Sequence, residues 1–264
     1  MTKTILITGA TDGIGRLTAK TLAAEGHRVL LHGRSAEKLD AAAQEIGGAT
    51  ETFCADLSRL EEVAALARAV LARHDRLDVL INNAGVFKTD RTVTAEGLDT
   101  RFVVNTLAPY LLTRHLLRIM PKDGRVVNLS SAAQAPVEID ALMGSRRLDH
   151  MAAYAQSKLA LTIWTQALAA EHPEGPVFVA VNPGSLLASK MVQKGFGVAG
   201  NDLRIGADIL RRVALSEDFA DATGRYFDND SGGFAKPHHA ALDTSQTARV
   251  MQAIRQLAGD DARA

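Results

Sequence analysis

The chain has 264 residues, which fits one large domain or two small ones at roughly 100–200 residues per domain. Apolar residues make up 47% and charged residues 23%, and this excludes a disordered, collagen-like or low-complexity chain. With 30 basic and 30 acidic residues and only 5% aromatics, the chain lacks both the charge footprint and the stacking rings of a nucleic-acid binder.

Strand-like and helix-like segments alternate along the chain. Thr4–Thr8 is short, β-branched and followed by glycine, and so reads as a strand. Arg16–Glu25 has helical spacing and stops at Gly26. Arg28–His32 is the next strand, and Ser35 is placed to cap a helix that ends near Gly47 and Gly48. Glu51–Ala55 is a third strand and holds the lone cysteine, Cys54, expected as buried filler. One cysteine makes neither an internal disulfide nor a multi-cysteine zinc site, and points to a reducing compartment. A helix from about Arg59 to His74 follows, then strand Asp78–Asn82, helical material from Gly97 to Met120 and strand Arg125–Ser130. Ala152–His172 is a long helix stopped by Pro173, and Val177–Asn182 a sixth strand. Leu203–Leu215 reads as a helix, Arg225–Asp228 as a last strand and Ser245–Leu257 as a terminal helix.

This rhythm predicts a single-domain α/β protein, a doubly wound sheet of about seven parallel strands with helices on both faces. Nothing reads as a linker, so residues 1–264 are taken together, with roughly 1–130 and 131–264 as two halves of one domain. No apolar run reaches the roughly 20 residues of a membrane helix, and no signal peptide is legible; the expectation is a cytoplasmic protein. Gln134–Met151 and Leu186–Asn201 fit the rhythm poorly and follow strand ends, where open parallel sheets bind ligands. They are the expected substrate walls.

The first strand runs into Thr8-Gly9-Ala10-Thr11-Asp12-Gly13-Ile14-Gly15 and then a helix. Backbone N–H groups at a helix N-terminus attract a pyrophosphate, and glycines let the backbone approach it. A plain structural turn is the competing reading. Further on, Tyr154 and Lys158 are four apart on one helix and share a face. A lysine ammonium beside a phenol favours the phenolate, and so lowers the phenol toward useful proton exchange. Ser131 ends a strand, where it can donate to a carbonyl oxygen, and Asn105 is placed to hold a water in the proton path.

The glycine spacing, Asn82-Asn83-Ala84-Gly85, Asn105, Ser130-Ser131, Tyr154-x-x-x-Lys158 and Asn182-Pro183-Gly184 occur in one order across nearly the whole chain. In that order the sequence resembles the short-chain dehydrogenase/reductase family, and within it retinol-dehydrogenase-like and related bacterial members. The resemblance implies a Rossmann-like fold and hydride transfer between a nicotinamide cofactor and a carbonyl/alcohol pair. It implies Tyr154 as general acid/base, Lys158 lowering its pKa and binding the nicotinamide ribose, Ser131 polarising the carbonyl and Asn105 anchoring the relay. Ser131 is chosen over Ser130 because members with a serine pair generally use the second. A non-catalytic nucleotide-binding sensor or scaffold, or an epimerase- or dehydratase-type reaction, are the alternatives on the same fold.

For the cofactor, the resemblance points to Gly9, Thr11, Asp12, Gly13, Ile14 and Gly15 for the pyrophosphate. It assigns Asp56 and Leu57 to the adenine, and Asn83, Ala84, Gly85, Tyr154 and Lys158 to the inner half. Pro183, Gly184, the Leu186 backbone and Ser189 then meet the nicotinamide side; many members carry a threonine one residue before Ser189, and Ser185 is the alternative hydroxyl. The second strand ends Leu30-Leu31-His32-Gly33-Arg34-Ser35, with glycine at the family's acidic position. The Arg34 guanidinium suits a 2′-phosphate, so NADP(H) is preferred, with NAD(H) also possible. Leu142, Met143, Met151, Leu186, Leu187, Met191 and Phe196 lean weakly toward an apolar small-molecule substrate. His238-His239 and Arg146-Arg147 read as solvated loop residues rather than as metal or acidic-substrate ligands, and no other spacing supports a metal. The apolar helices near Asn105–Met120 and Ala152–His172 lead us to expect a homodimer or homotetramer.

Overall fold

A computed structural model describes residues 1–188 and 199–259 of the chain. Eight strands form one sheet: β1 (Thr4–Ile7), β2 (Arg28–Gly33), β3 (Thr50–Cys54), β4 (Val79–Asn82), β5 (Arg125–Leu129), β6 (Val177–Asn182), β7 (Arg225–Asp228) and β8 (Gly233–Ala235). Their order is β3-β2-β1-β4-β5-β6-β7-β8. The pairings from β3 through β7 are parallel, as expected, and β8 adds an antiparallel edge to β7. The sequence reading missed β8 because three residues after the turn glycine Gly232 (φ +73°) carry no alternation to detect.

Helices cover both faces. One face carries α1 (Gly13–Ala24), α2 (Ala36–Ile46) and α8 (Leu203–Leu215). The other carries α3 (Leu60–Leu71), α5 (Ala108–Leu116), α7 (His150–Glu171) and α9 (Thr244–Ala258); α4 (Thr100–Phe102) and α6 (Ile139–Leu142) are short. Side chains alternate across the pleat, so Leu6, Leu80 and Val126 enter one core and Ile5, Ile7, Val79, Ile81 and Val127 the other. This double burial is why the strands read as continuous apolar runs.

The stretch expected as helix from Gly97 to Met120 is broken up. After α4, Val103–Leu107 is a π-turn, α5 follows, and Leu117–Ile119 is 3-10. Ala108 N–H reaches the Val103 carbonyl, five residues back. Pro109 has no N–H to continue the ordinary ladder, and this widens the turn that holds Asn105. Cys54 is exposed, contrary to expectation, because Phe53 and Ala55 on either side of it point into the core from the edge strand β3.

The apolarity of α5 and α7 is used within the chain. Tyr110, Leu112, Leu159, Leu161 and Trp164 are buried in one cluster with Val250, Met251 and Ile254 of α9. Their composition therefore needs no second subunit to explain it. Among the described residues, no helix is long and apolar enough to cross a membrane.

Candidate functional site

The strand order changes direction between β1 and β4, and the site lies at the carboxyl ends of the strands flanking that point. The turn after β1 is built by two glycines in left-handed conformations, Gly9 (φ +68°) and Gly13 (φ +54°). Asp12 caps α1 through the N–H of Gly13 at 2.8 Å, and Thr11 and Ile14 complete the loop. The helix must start hard against the sheet. A Cβ on Gly15 would lie 2.3 Å from Asn83 Nδ2 and 2.4 Å from the Gly9 carbonyl, and one on Gly33 would lie 2.6 Å from the Thr11 methyl.

Asn83 closes the turn from the other side, donating from Nδ2 to the carbonyls of Thr8 (2.8 Å) and Gly9 (3.1 Å). Ala84 N–H donates to the Thr8 hydroxyl, and Gly85 follows. Asn82 is buried and donates to Asn128 and Thr113, so in this Asn pair the first knits the sheet and the second lines the turn.

A residue that sequence reasoning passed over completes the turn. His32 of β2 is 3% exposed, and its Nδ1 accepts the Gly9 N–H at 3.2 Å. Its Nε2 lies 3.1 Å from the Ala55 carbonyl, so the network assigns the proton to Nε2. Burial holds the imidazole down at about 4, opposed by the Ala55 bond and the charge of Asp56. A histidine inside an apolar strand carries no sequence signal that separates this role from ordinary packing.

On the side expected to face the adenosine, Arg34 is exposed at the end of β2 and the Ser35 hydroxyl caps α2 by accepting Lys38 N–H. Asp56 Oδ1 accepts from both the N–H and the hydroxyl of Ser58. The Leu57 side chain is in the core, which leaves only its backbone facing the site.

The side expected to react is built on β5 and α7. Asp149 caps α7 through Ala152 N–H, and Tyr154 and Lys158 sit one turn apart on it. The Ser130 hydroxyl is committed to Thr162 Oγ1 (2.8 Å) and the Lys158 carbonyl (3.3 Å). Ser131 Oγ accepts Ala133 N–H and also hydrogen-bonds the Tyr154 phenol. Phe87 packs its ring edge-on to Tyr154 with centroids 5.3 Å apart. Lys158 is 4% exposed, its Nζ 5.7 Å from the Tyr154 ring centroid and donating to the Leu129 carbonyl at 2.6 Å. Burial holds the amine at about 8, so it keeps its proton at neutral pH.

One expectation changes here. Burial pushes the Tyr154 phenol up from its ordinary value, and the Ser131 hydrogen bond only partly opposes this. Lys158 gives one of its three N–H donors to the Leu129 carbonyl and stands 5.7 Å from the Tyr154 ring centroid, and the drop expected from it does not offset burial. Asn105, fully buried, uses Oδ1 for Val86 N–H (2.8 Å) and Nδ2 for the Val86 carbonyl and Ser157 Oγ (both 2.9 Å). Its amide braces the loop after β4 against α7 with both N–H groups taken, so a water there would be held at an oxygen rather than by an N–H.

After β6, Pro183 and Gly184 (φ +125°) lead to Ser185, whose N–H and hydroxyl both donate to Asp230. Asn182 donates to Asp230 and Asp228, so β7 and its turn hold this loop. Leu186 has φ +50°, a strained value for leucine, and its carbonyl accepts Asn201 N–H. Ser189, Met191 and Phe196 lie outside the described residues. Of the expected apolar lining, Leu142 and Leu187 are buried, while Met151 and Leu186 are exposed. Arg146 pairs with Glu138, and Arg147 donates to the Gly97 carbonyl. His238, expected in a solvated loop, caps the turn His239–Ala241 and gives its N–H to Gln134, next to the serines.

The model of the family described as short chain dehydrogenase matches residues 3–196. Human retinol dehydrogenase 13 is 33% identical over 251 residues, covering 86% of this chain and 76% of that protein. A crystal structure of a Mycobacterium paratuberculosis protein has a TM-score of 0.79 at 28% identity, covering 97% of this chain and 93% of its own. The landomycin C-6 ketoreductase, solved with bound NADP and rabelomycin, has a TM-score of 0.67 at 30% identity, covering 86% of this chain and 94% of its own.

Proposed function

The chain belongs to the short chain dehydrogenase family, and from that premise we propose an NADP(H)-dependent carbonyl/alcohol oxidoreductase with Tyr154 as its general acid/base. It is an enzyme of the hydride-transferring class that acts on alcohol or carbonyl groups with a nicotinamide cofactor. One observation carries the finer reading: the Ser131 hydroxyl, the Tyr154 phenol and the Lys158 ammonium meet at the end of β5, beside the glycine turn.

The residues present fit a dinucleotide. Where Gly15 and Gly33 stand, a Cβ would collide with the turn, and two left-handed glycines open that turn at the start of α1. Gly9 to Gly15 would hold the pyrophosphate, Asp56 and the Leu57 backbone the adenine, and Asn83 to Gly85 with Pro183, Gly184 and Leu186 the inner half. Arg34, exposed with no acidic residue at Gly33, supports the phosphorylated ribose. When bound, the nicotinamide supplies or takes the hydride.

The chain's own residues handle the proton. Ser131 would give its one O–H to the substrate oxygen while standing beside the Tyr154 phenol, so it aligns the two. Tyr154 gives its phenolic proton to the developing alkoxide in reduction and recovers it in oxidation. The Lys158 ammonium, desolvated in the core, stabilises the transient phenolate electrostatically. Asn105 keeps the Val86 loop and Ser157 in place, and Ser157 in turn donates to the Tyr154 carbonyl at 2.7 Å.

The test is oxidation of NADPH and, in parallel, NADH over a panel of aldehydes, ketones and quinones, with Tyr154→Phe as control. We expect turnover with NADPH that falls about 10²–10⁴-fold in the variant. Turnover that survives the substitution refutes the role of Tyr154, and faster use of NADH refutes that of Arg34.

A further inference from the structure

We propose that Tyr226 is a positioning residue that fixes Ser131, and with it the hydrogen bond to Tyr154, by holding the Ser131 carbonyl from β7. The inference rests on the reading of Ser131 and Tyr154 as the reacting pair. Ser131 lies two residues past the end of β5, and the Ser130 N–H bond to the Val181 carbonyl (2.8 Å) carries the strand's pairing only as far as its neighbour. The Ser131 carbonyl is instead gripped by two side chains. Tyr226 Oη donates to it at 3.1 Å across 95 residues of chain, and Gln134 Nε2 donates at 3.0 Å. Gln134 is itself held, since its Oε1 accepts the His238 N–H at 3.0 Å.

The sheet register aims Tyr226 at this task. It aligns with Ala180 on β6 and, through it, with Asn128 on β5, whose side chain meets Thr165 of α7. Tyr226 therefore emerges on the face that carries Tyr154, and the position between it and β5 is a small alanine. Its ring is 5% exposed. Burial, with Asp228 and Asp230 nearby, pushes the phenol well up, so it stays a donor at any working pH. Phenylalanine at this position would fill the same space, so the hydroxyl can be removed while the packing is kept.

The chain has only three tyrosines, Tyr110, Tyr154 and Tyr226, and this makes a direct readout practical. Tyrosine labelled with 13C at Cζ gives three resonances, assigned by single Tyr→Phe changes. In Ser131→Ala the Tyr154 resonance moves, because its hydrogen-bond partner is gone. We expect Tyr226→Phe to move it the same way, with a cooperative urea transition retained. We also expect Tyr226→Phe to lower kcat for NADPH-driven reduction of a quinone about tenfold, with KM for NADPH unchanged. In a Ser131→Ala background the same change should cost less than about twofold, because the two act as one unit.

A Tyr154 resonance unmoved by Tyr226→Phe, or equal losses in both backgrounds, overturns the proposal. So does a Tyr226→Phe chain that no longer folds cooperatively, since the hydroxyl would then hold the fold rather than the serine. A Tyr154 resonance indifferent to Ser131→Ala would instead count against the pairing of Ser131 with Tyr154.

Discussion

His32 makes the glycine turn after β1 sensitive to acid, and the size of the effect follows from its burial. The ring is neutral when folded, with Nδ1 accepting Gly9 N–H and Nε2 donating to the Ala55 carbonyl. A second proton would turn Nδ1 into a donor facing a donor. Its folded value of about 4 lies below the 6.5 of an exposed histidine, so the unfolded chain takes up the proton first as pH falls. Stability contributed by the neutral ring is therefore complete above about pH 6.5 and is lost between there and pH 4. Linkage gives a loss of about 2 kcal/mol by pH 5 and about 3 kcal/mol by pH 4.

His32→Leu isolates this contribution from the carboxylates that titrate nearby. At pH 7 the variant leaves Gly9 N–H and the Ala55 carbonyl unpaired, at a cost of about 1–3 kcal/mol each. Urea unfolding of both proteins from pH 7 to pH 4.5 is the assay. The stability gap should narrow by about 2 kcal/mol on reaching pH 5. Parallel pH curves, with a constant gap, would refute the reasoning.

Two further outcomes follow from packing. Gly15→Ala drives a methyl to within 2.3 Å of Asn83 Nδ2 and 2.4 Å of the Gly9 carbonyl. It should weaken NADPH binding at least about tenfold by fluorescence titration and destabilise the chain by about 1–3 kcal/mol, and unchanged values in both would show that the turn has slack. Phe178, fully buried on β6 and stacked on His172 with centroids 6.0 Å apart, should cost about 3–5 kcal/mol as Phe178→Ala in urea unfolding. A loss under about 1 kcal/mol would mean that the core collapses into the space.

Much of this protein is legible along the chain because its signals are local. A buried parallel strand has to be apolar on both faces, so Ile5–Ile7 and Val79–Ile81 announce themselves. The glycine turn is equally plain, because close approach of α1 to Asn83 excludes any side chain at Gly15. Tyr154 and Lys158 share a helix face by spacing alone.

Other features needed the folded chain to be seen. The π-turn at Asn105, the exposure of Cys54 and the short β8 come from a proline's missing N–H, an edge strand's pleat and a partner strand. The apolar stripes of α5 and α7 do not say what covers them, and it is α9 that shares their core.

The sequence by itself determined the α/β class, the glycine turn and the serine, tyrosine and lysine of the proposed reacting set, because each is written in a few adjacent residues or one helical turn. The tertiary structure alone decided what holds those groups in place: His32 on Gly9, Asp230 on Ser185, and Tyr226 and Gln134 on the Ser131 carbonyl. Most of these hydrogen bonds join residues 23 to 95 positions apart, and no local pattern of side chains encodes a partner that only the folded sheet brings near.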